Sequence, residues 1–303
     1  MQNEEHFKSG FMTLVGRPNA GKSTLLNALI GQKVAITSNT PQTTRHRFRG
    51  ILNGDGFQLV IVDTPGIHKP HDALGDALDE SAFEALQDVD IIAFVLDSTA
   101  QFGTGDKWVL DSIGKSKAAK LLVVSKTDMA TADVVEAQMN TAESAYGFDA
   151  AIALSAVSGE GLGELVETAT TYLPEGPLWF PKDVTTDQPL EVIVAEFIRE
   201  KILRLTFDEV PHAVGVQVDE LEYAPRKKKG ELYRIFATVY VETDSQKGII
   251  VGKGGSLIKS IGIAAREDLE HMLGCKVFLD LHVKVRKNWR RDANQIRRFG
   301  YGA

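Results

Sequence analysis

The sequence predicts an α/β protein, with a mostly parallel sheet over residues 1–175 and a smaller α+β unit over 190–303. Three observations carry this. Apolar runs at 11–15, 57–62, 91–96, 120–124 and 151–154 alternate with helical patterns near 22–30, 74–87, 105–113, 132–145 and 162–172, as in parallel sheets with crossover helices. Four of the ten prolines fall between Pro174 and Pro189, where neither a helix nor a central strand survives. Residues 176–189 therefore read as a linker, with Trp179 and Phe180 docking it on one unit. Beyond it the element order becomes αββααβ, with Gly252-Lys253-Gly254-Gly255 between the two central helices.

Composition narrows the class. Apolar and charged fractions of 43% and 25% are ordinary for a soluble globular protein. The single Cys275 forbids an intrachain disulfide, suits a reducing compartment and reads as a small buried hydrophobe beside a turn. Met1 to Lys8 is polar and mixed in charge, unlike a signal peptide, and no apolar run approaches a membrane span. The net charge of −7 is uneven: residues 1–180 hold 13 Lys and Arg against 23 Asp and Glu, residues 181–303 hold 21 against 18. The second half is thus the candidate grip on a nucleic acid.

The chemistry starts at Gly16-Arg17-Pro18-Asn19-Ala20-Gly21-Lys22-Ser23, which fits G-x-x-x-x-G-K-[ST]. An apolar strand precedes it, and a helical run from Thr24 to Ile30 follows. Strand, loop and helix aim a helix N-terminus and a ring of amides at negative charge. Gly16, Asn19, Ala20, Gly21, Lys22, Ser23 and Thr24 are therefore candidate phosphate-binding residues. Lys22 serves the β- and γ-phosphates, and the Ser23 hydroxyl can ligate Mg²⁺.

Phe57 to Val62 runs straight into Asp63-Thr64-Pro65-Gly66. A carboxylate at that strand end holds Mg²⁺, usually through water, and the Gly66 amide touches a γ-phosphate. Between the two motifs, Thr37 to Arg47 is polar, rich in hydroxyls and without periodicity. It reads as a mobile loop in which Thr44, with Thr43 as the alternative, completes the Mg²⁺ shell when a γ-phosphate is present. Lys22, Thr44 and Gly66 are the candidates for the chemistry itself.

The strand Lys120 to Val124 ends in Ser125-Lys126-Thr127-Asp128. An Asp there accepts two hydrogen bonds from the N1–H and exocyclic amine of guanine. Adenine has neither donor, so Asp128 selects GTP and disfavours an ATPase. The Lys126 stem covers base and ribose, and a backbone amide at Ser155-Ala156, behind the strand 151–154, suits the guanine oxygen.

These elements in this order resemble the small GTPase-like G domains of the P-loop NTPases. Gly16 to Ser23, Gln42-Thr43-Thr44-Arg45, Asp63 to Gly66 and Ser125 to Asp128 resemble the bacterial Era GTPases in particular. Two positions stand out. Ser125 replaces the Asn of the family's usual Asn-Lys-x-Asp, and its shorter hydroxyl is expected to brace the phosphate loop less well. Ile67 stands where many GTPases place a Gln that orients water. That absence is typical of the Era-like branch and implies slow intrinsic hydrolysis. By likeness to potassium-stimulated relatives, Asn19 is a candidate ligand for a K⁺ lying against the phosphates, while Arg45 reads as a phosphate-positioning or surface residue.

In the second half, 191–205 reads as an amphipathic helix with Val192, Ala195, Ile198, Ile202 and Leu205 on one face. Strands at 213–222 and 231–242, helices at 245–251 and 256–273 and a strand at 276–285 follow. A G-x-x-G turn lets backbone approach a phosphodiester chain with no Cβ in the way. Gly252, Lys253, Gly254, Gly255 and Lys259 are the candidate clamp. Ile249, Ile250 and Val251, with strand 231–242, are expected to form an apolar groove for unstacked bases. This order resembles the KH domain, type II. Arg226 to Lys229 reads as a solvated basic loop. In the tail, five arginines surround Trp289. Arg286 and Arg290 could contact phosphates while Trp289 stacks a base, or Trp289 seals the domain edge.

A G domain followed by a KH domain covers roughly residues 8–300. The resemblance implies a GTPase, binding GTP or GDP with Mg²⁺, that binds the 3′ end of 16S ribosomal RNA and acts on the maturing small ribosomal subunit. It implies RNA rather than DNA as partner, a monomer, and a cytoplasmic protein with peripheral association to the inner face of the cell membrane. The alternative is an RNA-binding assembly factor in which hydrolysis is vestigial and the nucleotide is a structural ligand.

Overall fold

The computed structural model describes residues 7–38, 40, 43–66, 72–225 and 230–301. Arg226 to Lys229, Gln42 and Ile67 lie outside the described residues.

The first unit runs β1 (Lys8–Val15), α1 (Lys22–Ile30), β2 (Phe48–Gly54), β3 (Phe57–Asp63), α2 (Ala73–Glu84), β4 (Ile91–Asp97), α3 (Thr104–Ile113), β5 (Ala119–Ser125), α4 (Ala132–Ala145), β6 (Ala150–Ala153) and α5 (Leu162–Tyr172). The sheet order is β2-β3-β1-β4-β5-β6. Every pairing is parallel except β2 with β3. Leu59 to Ile61, Ile91 to Val95 and Leu121 to Val124 are fully buried. Helices on both faces cover these strands, which is why they read as unbroken apolar runs.

β2 is absent from the sequence expectation. Phe48–Gly54 interrupts its apolar residues with Arg49 and Asn53 and gains its order only by pairing with β3, Phe48 opposite Asp63. The turn Gly54-Asp55-Gly56 between two apolar runs was the available signal.

The proline-rich segment runs along the β2 edge. Ile51 N–H donates to Thr185 O at 2.9 Å, Gly50 bridges Thr186, and the N–H groups of Trp179 and Phe180 both donate to Gln58 Oε1 at 2.8 and 3.0 Å. A sheet edge that would otherwise be open is thereby covered.

The second unit runs α6 (Leu190–Leu205), α7 (Val210–Ala213), β7 (Gly215–Tyr223), β8 (Leu232–Val241), α8 (Asp244–Val251), α9 (Ser256–Leu273), β9 (Lys276–Val285) and α10 (Ala293–Arg298). Its sheet is β7-β8-β9, antiparallel then parallel. A capping box starts α8, with Thr243 and Gln246 bonding each other's backbone N–H, and the glycine turn ends it. By length and composition Asp244–Leu273 would suffice to cross a membrane. It is instead two helices, broken where Gly254 adopts φ 61°. Cys275 is half-buried beside the Gly274 turn.

α6 differs from its expected one-sided pattern. Ile193, Val194, Phe197 and Leu203 are buried along with Ala195, Ile198 and Ile202, and so are Glu196, Arg199, Glu200 and Lys201. Leu205 is exposed. The helix lies between the two units, so apolar residues line more than one face, and its charges pair both within the helix, Glu196 with Arg199, and across the seam, Glu200 with Lys33.

Candidate functional site

The phosphate loop links β1 to α1. Gly16 has φ 154°, and a Cβ there would meet Val95 O at 2.4 Å, so the close crossing over β4 admits glycine alone. Lys22 is buried and its ammonium donates to the carbonyls of Gly16 and Arg17 at 3.1 and 3.0 Å. Around the loop lies a cavity of about 430 Å³. Its wall includes Pro18, Asn19, Gly21, Lys22, Ser23, Thr24, Thr37, Ser38, Thr43, Thr44, Gly66, Lys126 and Arg204.

Three elements meet at one point in this wall. The Ser23 hydroxyl at the start of α1 donates to Asp63 Oδ2 at 2.6 Å. It lies 2.9 Å from Thr44 Oγ1, which is itself 3.4 Å from Asp63 Oδ2. Thr44, not Thr43, joins the group; Thr43 Oγ1 bonds Ser38 Oγ and Thr40 O. Asp63 Oδ1 is buried with no hydrogen-bond partner. Burial pushes the Asp63 carboxyl up to about 6, against the pull of Lys22, Ser23 and Thr44. Burial likewise lowers Lys22 to about 8, outweighing the attraction of Asp63. Two hydroxyls, a buried carboxylate and an unpartnered oxygen fit a hard divalent cation, and Mg²⁺ would be held by Ser23, Thr44 and Asp63.

On the base side, the Ser125 hydroxyl lies 2.7 Å from Ala20 O and 3.1 Å from Leu96 O. The short side chain does reach the phosphate loop, because β5 brings it directly beneath. Lys126, at φ 61°, donates to Asn19 O at 2.8 Å and Asp97 Oδ2 at 2.5 Å. The Ser155 amide donates to Glu160 O, so Ser155 is not the amide donor to a base. Its hydroxyl instead donates to Asp128 Oδ1 at 2.6 Å and orients that carboxylate. Among the described residues no hydrogen bond engages the Ala156 amide, which leaves it as the candidate.

In the second unit the turn Gly252 to Gly255 exposes Lys253 and Gly254. Gly252 has φ 71°, and a Cβ there would meet Leu257 N at 2.8 Å. A groove of about 520 Å³ lies between α9 and β9, lined by Ile258, Lys259, Gly262, Ile263, Arg266, Phe278 and Leu281 among others. This corrects the expected groove. Ile250 is fully buried and β8 is the central strand, its Ile235, Ala237, Val239 and Val241 all buried. Ile250 is thus shut away and β8 lends the groove only its first residue, Leu232, whereas β9 is an edge strand with Phe278 half-exposed. Ile249 is exposed but does not line the groove.

The tail is corrected too. Trp289 is fully buried, its indole N–H donating to Ala213 O at 2.9 Å, so it seals the domain edge and does not stack a base. With Phe299, Tyr301 and Tyr240 it packs against Leu74 and Leu78 of α2. Arg290 pairs with Glu242 at 2.8 Å and Asp72 at 3.4 Å. Arg286 bonds Gln295 and covers the Tyr240 ring. Both arginines tie the tail down.

Sequence reasoning missed the charged residues of α6 that face the loop before Thr44. Their signal was Arg199-Glu200-Lys201 within an apolar helix.

Known proteins agree with this geometry. The family described as "50S ribosome-binding GTPase" matches residues 11–127, and the KH domain family matches 209–290. GTPase Era of Lactobacillus helveticus is 47% identical over 98% of this chain and 97% of its own length. GTPase Era of Mycolicibacterium smegmatis is 45% identical over 97% and 99%. A crystal structure of Aquifex aeolicus Era bound to GDP·AlF4⁻ superposes with a TM-score of 0.93 at 38% identity, covering 97% of this chain and 99% of that one. Era in complex with MgGDPNP and nucleotides 1506–1542 of 16S ribosomal RNA does so equally, at 38% identity, over 98% and 99%. With a nucleotide-binding sheet, a glycine clamp and near-full-length likeness in one chain, the protein belongs to the Era family of GTPases.

Proposed function

We propose that this chain is a GTP-driven switch that binds the 3′ end of 16S ribosomal RNA and assists maturation of the small ribosomal subunit. One observation carries the catalytic half: Ser23, Thr44 and Asp63 converge beside Lys22, although they come from a helix, a loop and a strand. The Lys22 ammonium and the loop amides neutralise phosphate charge as the γ-phosphoryl departs, the Gly66 amide meets the same group, and Asp128 reads guanine. Ser23, Thr44 and Asp63 would hold Mg²⁺, whose charge would stabilise the negative charge that develops on the phosphates. The absence of an orienting Gln makes intrinsic hydrolysis slow.

The RNA half rests on the clamp, with its exposed Lys253, and on the groove, where Lys259 and Arg266 stand beside apolar Ile263 and Phe278. The family description that names the 50S ribosome spans only the nucleotide unit. The likeness to Era bound to 16S RNA spans both units, and favours the small subunit. Asn19, in the cavity wall, is the proposed K⁺ ligand. A cytoplasmic monomer with peripheral contact to the inner membrane face follows from the family resemblance.

The test is binding of an RNA carrying the 16S 3′ end, with GDP and with a non-hydrolysable GTP analogue. Lys253→Gln is expected to weaken binding and lower the salt slope by about 1. Equal slopes in variant and wild type would refute the clamp. Equal hydrolysis rates in KCl and NaCl would refute the K⁺ site.

A further inference from the structure

The loop carrying Thr44 is held from the second unit. Its two ends are tied together by Ser38 Oγ and Thr43 Oγ1, 2.7 Å apart. Each end is also gripped by α6. The Arg199 guanidinium, fully buried and paired with Glu196 at 2.5 Å, donates to Thr43 O, the carbonyl directly preceding Thr44. At the other end, Glu200 Oε1 accepts from Thr37 N–H at 3.0 Å. Arg204 donates to Thr37 O and Oγ1 at 3.3 and 3.2 Å and to Glu200 Oε1 at 3.0 Å. Lys33 and Lys201 complete the grip on Glu200. Arg204 also stands in the wall of the nucleotide cavity, although it belongs to a helix of the other unit.

We propose that Arg199 and Arg204 are positioning residues for Thr44: from the RNA-binding unit they hold both ends of the loop so that the Thr44 hydroxyl stays beside Ser23 and Asp63. This rests on the GTPase reading above and adds its specificity. Thr44 serves the metal and γ-phosphate only, so the clip favours a magnesium-bound triphosphate over a diphosphate. By linkage the triphosphate in turn favours the docked arrangement of the two units.

The full-length protein tests this in two variants. Arg204→Gln alters a half-exposed side chain and is expected to leave folding intact. Arg199→Lys keeps the charge opposite Glu196 but removes the second N–H that reaches Thr43. Affinity for a non-hydrolysable GTP analogue with Mg²⁺ should fall about tenfold in each, and GDP affinity by less than about twofold. The Mg²⁺ concentration for half-maximal hydrolysis should rise, and Arg204→Lys should recover part of the loss. An unchanged ratio of triphosphate to diphosphate affinity in Arg204→Gln overturns the proposal. So does a parallel fall of both affinities with melting temperature, which would mark a purely structural role. If wild type binds no GTP analogue, the nucleotide reading itself fails and the clip with it.

Discussion

Two glycine turns are the proposed phosphate sites of this molecule, and they are built in opposite ways. The phosphate loop is locked: a Cβ on Gly16 would strike the Val95 carbonyl, and Ala20 and Lys22 beside it are buried. The clamp turn is open: Cβ atoms on Gly254 and Gly255 would meet nothing within 4 Å, and Lys253 stands in solvent. The difference follows from the ligand. A compact triphosphate concentrates charge, so a low-dielectric cradle makes each bond strong. A ribose–phosphate strand must be threaded along a surface, so each contact is weak and salt-dependent. Substitutions should therefore cost far more in the first turn than in the second.

The largest effect is expected at Lys22. Lys22→Ala removes a buried cation and is predicted to lower single-turnover GTP hydrolysis by about 10²- to 10³-fold. RNA affinity without nucleotide should barely change. A rate within a factor of a few of wild type would mean that the loop carbonyls now holding the ammonium are its permanent partners, and the comparison would lose its stronger member.

This contrast also explains what could be read in the chain. The phosphate-loop, Asp63 and Asp128 motifs were legible because each is a local arrangement, a strand end followed by a turn, whose chemistry permits few residue types. The choice of Thr44 over Thr43 was not fixed locally; it depends on Ser23 and Asp63 reaching the same oxygen. Trp289 was ambiguous because its partner, Ala213, lies far away in sequence. The groove was assigned to the wrong strand for a related reason. β8 is nearly unbroken apolar while Asp280, His282 and Lys284 alternate along β9, a one-sided pattern that marks the edge strand once sheet order is known. α6 misled most, since a helix between two cores is not amphipathic, and its buried charges pair both within the helix, as Glu196 does with Arg199, and across the seam, as Glu200 does with Lys33.

A middle-sized effect separates positions within the open turn. Gly252 combines φ 71° and ψ 171° with a blocked Cβ, a conformation nearly exclusive to glycine. Gly252→Ala is predicted to cost about 2 kcal/mol of stability. Gly254, at φ 61° and ψ 25° with open space around it, should cost about 1 kcal/mol as Gly254→Ala. Chemical denaturation of both variants measures the difference. Equal losses would show that the turn relaxes as a unit, and that its openness extends to Gly252.

The smallest effect lies at the seam, where the buried character of the first site continues beyond Thr44. His46 is buried, with Glu196 at 3.8 Å and the Tyr301 ring at 4.9 Å. Burial lowers its pKa; Glu196 and a backbone bond at Gly300 oppose the fall, and Arg199 and Arg45 add to it. The folded protein therefore holds the neutral imidazole, while the unfolded chain takes up a proton near pH 6.5. Stability is fully present above 6.5 and declines as pH falls from there toward the lower folded-state pKa. One such histidine contributes a decline of about 1 kcal/mol per pH unit in that window, a melting shift of about 2 °C. The carboxylates at the seam, Glu196 and Glu200, have folded-state pKa values below their usual range, so their losses begin at lower pH and do not mask this one. His46→Gln should lower the melting temperature at neutral pH but flatten its slope between pH 6.5 and 5.5. Parallel slopes in variant and wild type would show that His46 is protonated in the folded state, with Glu196 as its counter-charge. The seam would then be an ion-paired surface like the clamp and not an extension of the buried cradle.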